Sequence, residues 1–303
     1  MSNPTNSPGP PVLLLIDAPT VAEPAAQPGF HEADPAAPQL RVTDLGASRG
    51  DGVFETVGVV AGRALQLEAH LARLTRSAVL LDLPAPRTEV WRAAILAAID
   101  AAGGADLSVK AVLTRGVEGA EECTGWVLAT AAPDMSRARE HGVRVVTLDR
   151  GYAADVAITS PWLLQGAKYT SYAVNMAALR EARRRGADDA IFISSDAFVL
   201  EGPTASVVLR SGDRLITPAT DQGILAGTTQ AEVFAFAASR GLRTEARPVP
   251  VAELQQAEQL WLCSSVRLSA PVRSLDGREL GVDRELTDAL LQHLAGGGSG
   301  TER

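Results

Sequence analysis

The chain has almost no lysine: of its 28 basic residues only Lys110 and Lys168 are lysines, and the other 26 are arginines. As solvated surface charges the two types are nearly interchangeable, but arginine stays protonated and cannot form a Schiff base, so a retained lysine marks a place to look for amine chemistry. Cysteine is as sparse. Cys123 and Cys263 stand far apart with no CxxC pair, which removes a disulfide framework and a zinc ribbon from consideration and suits a reducing cytoplasm. The four histidines, His31, His70, His141 and His293, fall at no metal-ligand spacing, and there is no HExxH, GxSxG or Walker pattern, so no metal is expected and the common hydrolase and nucleotide readings lack a starting residue. No apolar run approaches the ~20 residues that cross a bilayer, and the short stretch PVLLLIDAP has no positive region before it. Membrane insertion and export are therefore not expected.

What is present is an ample supply of apolar residues, 46% over 303 positions, enough to bury the core of one large domain or two ordinary ones. The net charge is −8, and the basic residues are scattered apart from Arg183-Arg184-Arg185. That run falls where a helix should end, where cations match the helix dipole, so nucleic acid is not an expected partner.

Hydrophobic periodicity predicts a mixed α/β chain. Residues 1–38, rich in Pro, Ala, Ser and Asn, read as an irregular N-terminal arm in which VLLLID is the one strand-like stretch. Residues 39–150 read as a small α/β domain: a hairpin at GVFETVGVV and ALQL, helices at EAHLARLTRSAVLLDL and TEVWRAAILAAIDAAGG, then strands at KAVLTRG, GWVLATA and VRVVTL. Residues 151–160 look like a connection. Residues 161–295 read as a larger domain with a helix after Lys168, strands at DAIFIS, AFVLE, ASVVLR, DRLITP and QLWLCSS, and helices at TTQAEVFAFAASRG and RELTDALLQHL. The end, 296–303, is glycine-rich and expected to fray.

Lys110 sits in an alternating strand, where an outward-facing charge is the ordinary reading. Lys168 lies between SPWLLQGA and YTSYA just before a helix; position alone fits a surface lysine as well as a reactive amine. Two other segments bear on the choice. Gly227, Thr228 and Thr229 precede an apolar-periodic helix, a place for a helix cap or for a bound anion such as phosphate. Glu201 ends a predicted strand before Gly-Pro, and is either a turn residue facing water or an acidic partner for a pyridine nitrogen.

On these residues the chain resembles the fold-type IV family of pyridoxal-phosphate (PLP) enzymes, which includes branched-chain and D-amino-acid aminotransferases and 4-amino-4-deoxychorismate lyase. The resemblance runs from about Asp44 to Arg278 and rests on order and spacing: GDGVFET, HLARL, the lysine ahead of a helix, LEG, GILAGTT, then CSSVRLSAPV before LDG. It implies a two-domain fold with a smaller N-terminal α/β domain and a larger C-terminal pseudo-barrel domain. It makes Lys168 the covalent anchor of the cofactor and Glu201 the partner of its ring nitrogen. Arg73, Gly227, Thr228, Thr229 and Ser265 match the residues that hold the phosphate. Leu225 matches an apolar residue packing on the ring, and Tyr172 falls near a tyrosine that contacts the cofactor.

The departures from the common family pattern narrow the choice. Ala205-Ser206 stands where many members have Ser-Asn, Thr228-Thr229-Gln230 follows Gly227 where aminotransferases read I-T-R, and Arg49 precedes Gly50-Asp51-Gly52 where an aromatic is usual. Together with GAKYTSYAVNMAALREA these look most like the lyase branch, which implies conversion of 4-amino-4-deoxychorismate to 4-aminobenzoate and pyruvate in folate supply. That substrate carries two carboxylates, and Arg49, Arg115 and Arg267 are the guanidinium candidates for them, each equally readable as a structural ion pair. The runner-up is a branched-chain or D-amino-acid aminotransferase on the same scaffold; a rival of another class is a non-catalytic relative that binds a metabolite. The resemblance also implies a homodimer.

Overall fold

The computed structural model describes residues 9–23, 29–104 and 106–296. The chain divides into two compact units. One runs to Pro133 and takes in Lys168–Ser171, and the other comprises Asp134–Ala167 and the residues from Tyr172 onward. The division falls before the strand expected to close the first domain near residue 150, because that strand pairs within the second unit's sheet.

The first unit is built on a six-stranded antiparallel sheet. Its strands are β1 (Val12–Ile16), β2 (Phe30–Ala33), β3 (Gly52–Val60), β4 (Arg63–Ala64), β5 (Leu107–Thr114) and β6 (Thr124–Ala131), in the order β2-β1-β6-β5-β3-β4. Within the segment expected to be a largely irregular arm, the strand-like stretch Val12–Ile16 is an interior strand between β2 and β6. Its VLLLI run is buried at four of five positions, and the chain after it is tied down where the Trp91 indole donates to the Pro19 carbonyl at 2.9 Å. A short helix, α1 (Leu45–Ser48), is capped by the Asp44 carboxylate accepting from Gly46 N. Helices α2 (Leu67–Leu80) and α3 (Thr88–Ala101) cover the sheet, α2 against β3 and α3 against β1, β5 and β6. Their buried faces, Leu71, Leu74 and Ala78 on α2 and Trp91, Ile95 and Ile99 on α3, follow the spacing that predicted them.

In the second unit the strands are β7 (Val143–Asp149), β8 (Asp189–Ile193), β9 (Ser206–Ser211), β10 (Arg214–Pro218), β11 (Arg243–Arg247), β12 (Gln259–Ser264), β13 (Leu268–Leu275) and β14 (Arg278–Glu279). They form one mixed sheet in the order β11-β10-β9-β12-β13-β7-β8, with β14 on β13. Its pairs β10/β11, β13/β7 and β7/β8 are parallel. Parallel partners need crossover connections, so no hairpin signal announces them in the sequence. The expected strand AFVLE forms only isolated bridges at Phe198 and Val199. The helices are α4 (Ser136–His141), α5 (Val156–Thr159), α6 (Ala173–Arg184), α7 (Thr228–Ser239), α8 (Val251–Gln256) and α9 (Arg284–Gly296). Val207, Leu209, Leu260, Leu262, Ala270 and Val272 make the core of this sheet. The expected frayed tail lies outside the described residues save for Gly296. No helix among the described residues is long and apolar enough to cross a membrane.

The segment Lys168–Ser171 is fastened to the entry of β3. Phe54 N donates to the Lys168 carbonyl at 2.9 Å and Thr170 N to the Gly52 carbonyl at 2.8 Å, an antiparallel bridge centred on Val53 and Tyr169. Gly50 makes the approach possible. Its φ is +70°, and a Cβ there would stand 2.2 Å from the Ser171 hydroxyl oxygen and 3.1 Å from Ser171 Cα. Gly50→Ala should therefore lower stability by about 1–3 kcal/mol through left-handed strain and the clash; an unaltered urea midpoint would show that this approach tolerates a side chain.

Candidate active site

Residues of the first unit hold Lys168. Its backbone is fixed on both sides, since Lys168 N donates to the Ser77 hydroxyl at 3.0 Å and its carbonyl accepts from Phe54 N. Its Nζ lies 4.4 Å from the Phe54 ring centroid, within cation–π range. The next residues repeat the anchoring: the Thr170 hydroxyl donates to the Gly50 carbonyl at 2.7 Å and the Ser171 hydroxyl to the same carbonyl at 3.1 Å. Lys168 is thus a half-buried amine on a pinned backbone.

Beneath β3 is a buried charge cluster. Glu55 is 1% exposed; its Oε1 accepts from Arg73 Nε at 2.7 Å, its Oε2 from Arg73 Nη2 at 2.7 Å, and Oε2 also bonds the His70 Nδ1 at 2.7 Å. Burial would raise this carboxyl, but the Arg73 guanidinium, helped by His70, outweighs it and holds it at about 2. His70 is pushed below its ordinary value by burial, with the charges of Arg73 and Lys168 acting the same way against the pull of Glu55. The i, i+3 spacing in HLAR places both partners on one face of α2. Sequence reading took Arg73 from this segment and missed His70 and Glu55.

In the second unit Glu201 accepts at Oε2 from Leu225 N, 3.1 Å away. The loop after Glu201 is pinned at Pro203, whose carbonyl accepts from the Tyr172 hydroxyl at 2.8 Å and from Asn175 Nδ2 at 2.7 Å. Tyr172 therefore braces the Glu201 loop. Helix α7 begins at Thr228 with Gly227 as its N-cap and no side-chain cap. Thr228 and Thr229 are buried, and the Thr229 hydroxyl has no hydrogen-bond partner. A Cβ on Gly227 would stand 2.2 Å from the Ser206 hydroxyl oxygen. Ser265 lies in the turn between β12 and β13, where Arg139 caps the carbonyls of Val266 and Arg267 at 2.8 and 3.0 Å.

The three arginine candidates differ. Arg115 is committed to Asp51 through Nε and Nη2 at 2.6 and 3.2 Å, and to the Leu81 and Asp82 carbonyls at 2.6 and 3.2 Å. Arg267 pairs with buried Asp189 through Nη2 at 2.6 Å, while its Nε and Nη1 are buried with no partner. Arg49 is exposed and makes no ion pair among the described residues.

The model of the amino-transferase class IV family matches residues 52–275. The chain belongs to the class IV aminotransferases. It is 44% identical over 274 residues to the bifunctional aminodeoxychorismate lyase / D-amino acid transaminase of Mycobacterium tuberculosis, covering 85% of this chain and 95% of that one. Among solved structures it is similar to the fold IV transaminase CpuTA1 of Curtobacterium pusillum, at 54% identity and TM-score 0.91 over 94% and 97% of the two chains. A hypothetical aminotransferase of Mycobacterium tuberculosis in its PLP-bound form shares 40% identity with TM-score 0.84, over 93% and 98%. As a class IV aminotransferase the protein is of a PLP-dependent enzyme family.

The buried cluster predicts an acid-side signature. Glu55 falls from an ordinary 4.5 to about 2, so the folded chain binds this proton less tightly than the unfolded one. Its stabilisation is complete above about pH 4.5 and is lost as pH falls toward 2. Glu55→Gln should lower stability near neutral pH by about 3 kcal/mol and flatten the pH dependence across that window. Urea midpoints measured from pH 7 to 2.5 test both expectations.

Proposed function

We propose that the protein is a PLP-dependent lyase that converts 4-amino-4-deoxychorismate to 4-aminobenzoate and pyruvate. The observation that carries this choice is the 44% identity, across 95% of its length, to a protein whose name includes that lyase activity. The residues present fit the cofactor. An unpartnered buried hydroxyl at Thr229, on the first turn of a twelve-residue helix, is a donor in search of an acceptor, and phosphate at such a terminus provides one. Within the second unit Gly227, Thr228, Thr229 and Ser265 would hold the phosphate, Glu201 would face the ring nitrogen, Leu225 would pack on the ring and Tyr172 would keep the Glu201 loop in place; the family resemblance adds Arg73 to the phosphate ligands.

When bound, PLP supplies an aldehyde that captures amines and a protonated ring that withdraws electrons from the adjacent carbon. Lys168 would anchor that aldehyde, and its amine, on a backbone fixed by Ser77 and Phe54, would take the proton from the amine-bearing ring carbon of the substrate. The electron pair released would make the substrate ring aromatic and expel the enolpyruvyl group as an enolate, which takes up a proton to become pyruvate. Glu201, whose Oε2 accepts from Leu225 N, would face the ring nitrogen and favour its protonated form. Arg267, with two buried unpartnered donors, is the better supported of the substrate-carboxylate candidates, followed by Arg49; Arg115 is taken up by Asp51. By the same resemblance the active form is a homodimer.

A second reading, transamination of D-amino acids, is favoured by the other half of that relative's name and by the transaminase at 54% identity. Chorismate, glutamine and the amination enzyme, incubated with the protein, should yield 4-aminobenzoate and release pyruvate with no keto-acid acceptor. If instead D-amino acids convert the cofactor to its amine form and no 4-aminobenzoate appears, transamination is the activity.

Lys168→Ala should abolish turnover and the visible absorbance of the holoenzyme, and a yellow, active variant would sink the assignment. Thr229→Val should weaken cofactor affinity by about tenfold, the worth of one charge-assisted hydrogen bond. It should leave the apoprotein at least as stable, because an unpaired buried hydroxyl is removed. Affinity equal to wild type would take Thr229 out of the phosphate site.

A further inference from the structure

One group of cations has no task in the candidate active site. In the second unit a cleft of about 580 Å³ opens where α4, the start of β7 and β13 meet, within the range of sites that hold small organic molecules, roughly 300–1,000 Å³. Three guanidiniums line it, Arg137 on α4, Arg144 on β7 and Arg273 on β13, and the imidazole of His141 joins them. Three local features aim them there. Arg137 and His141 stand four residues apart and so share a face of α4. Val272 of β13 pairs with Val143 of β7 and Ser274 with Arg144, which makes Arg273 an extra residue in the ladder; a bulge of this kind re-aims a side chain. Gly142, between α4 and β7, has φ +73°, and a Cβ there would stand 2.9 Å from the Pro271 carbonyl oxygen and 3.2 Å from Arg273 Cβ. The glycine thus lets the end of α4 close on the strand that carries Arg273.

Two carboxylates also line the cleft, and both are in use. Asp188 accepts from Arg144 N and Nε on Oδ2 at 2.8 and 3.2 Å and from Arg144 Nη2 on Oδ1 at 3.0 Å. Asp134 Oδ1 accepts from Ser136 N at 2.8 Å. Arg137, Arg273 and His141 make no hydrogen bond or ion pair among the described residues. Arg273 is half-buried, so its guanidinium has given up part of its water without gaining a partner, a cost that a bound anion offsets. Arg144 and Asp188 cancel, and the charge of exposed Asp134 is screened by water. Arg137 and Arg273 are left to present two positive charges. We propose that this cleft binds the phosphate dianion of a small phosphorylated molecule. Arg137 and Arg273 grip the phosphate oxygens, which planar guanidiniums pair bidentately. Arg144 Nη1 and the His141 ring add donors, and the apolar side chains of Ala138 and Val143 border the organic remainder. None of these residues was assigned to cofactor or substrate above, so the site is additional to the cofactor's phosphate cradle and independent of the choice between lyase and transaminase.

Calorimetric titration at low salt tests this, on protein saturated with PLP so that the cofactor's own phosphate site is filled. The probes are glucose 6-phosphate, inorganic phosphate, succinate and glucose. Wild type should bind glucose 6-phosphate more tightly than inorganic phosphate, about tenfold more tightly than succinate, and glucose not at all. Arg137→Ala and Arg273→Met should each weaken glucose 6-phosphate about tenfold and leave the visible cofactor band unchanged. Arg137 is exposed, so its variant keeps the test decisive even where Arg273→Met fails to fold. Wild type that binds no glucose 6-phosphate, or Arg137→Ala that binds it as wild type does, would overturn the site. Succinate bound as tightly would overturn the phosphate class, and inorganic phosphate bound as tightly would overturn the organic remainder. Failure to take up visible cofactor would count against the PLP reading alone, since the variants report on the cleft with or without it.

Discussion

Everything proposed for Lys168 depends on the antiparallel bridge that fastens Lys168–Ser171 to the start of β3. A reactive amine needs a fixed origin, because a lysine side chain has four rotatable bonds and its reach is defined only if its Cα is. Here Phe54 N, Gly52 O, the Ser77 hydroxyl and the Thr170 hydroxyl fix that origin from several directions. The amine so placed is set against the face of Phe54.

The same strand then carries opposite tasks on its two faces. Phe54 and Thr56 face the side bearing the amines, while Glu55 points to the side covered by α2 and closes its charges onto Arg73 and His70. Alternation along a strand separates them without extra chain. A carboxylate buried to 1% exposure is tolerable only when paired and hydrogen-bonded. The bidentate Arg73 contact supplies the pairing and the His70 ring adds a further partner. The cluster orients Arg73 as a consequence, since a guanidinium gripped at Nε and Nη2 has its plane set.

Much of this was legible in the sequence, and what was not has physical causes. The helices with clear apolar stripes, α2, α3 and α9, lie where their period put them. The lysine stood out through composition, and the order of family segments gave the cofactor class that the family match bears out. The N-terminal stretch VLLLI read as strand-like, but its proline-rich flanks look like loop, and its place inside a sheet is decided by partners over a hundred residues away. The affiliation of β7 was hidden for a related reason: parallel pairing leaves no turn signature beside the strand. Glu55 was illegible because GVFETVGVV shows two polar residues in succession, and nothing local says which of them faces the core.

Lys110 shows how a correct local reading can leave out which residues share a face. In an alternating strand it was expected to face outward, and it is exposed. Exposure alone says nothing about what else shares that face. The register brings Phe54 to within cation–π distance, and Phe54 in turn meets Lys168 because the bridge at Val53 and Tyr169 carries a segment from well beyond β6 onto β3. The scarcity of lysine and the meeting of both lysines at one ring are thus a single observation made at two levels. A chain free to use arginine at every surface cation kept ammonium groups at the two positions that share an aromatic platform, where a compact, mobile charge differs most in its chemistry from a rigid planar one.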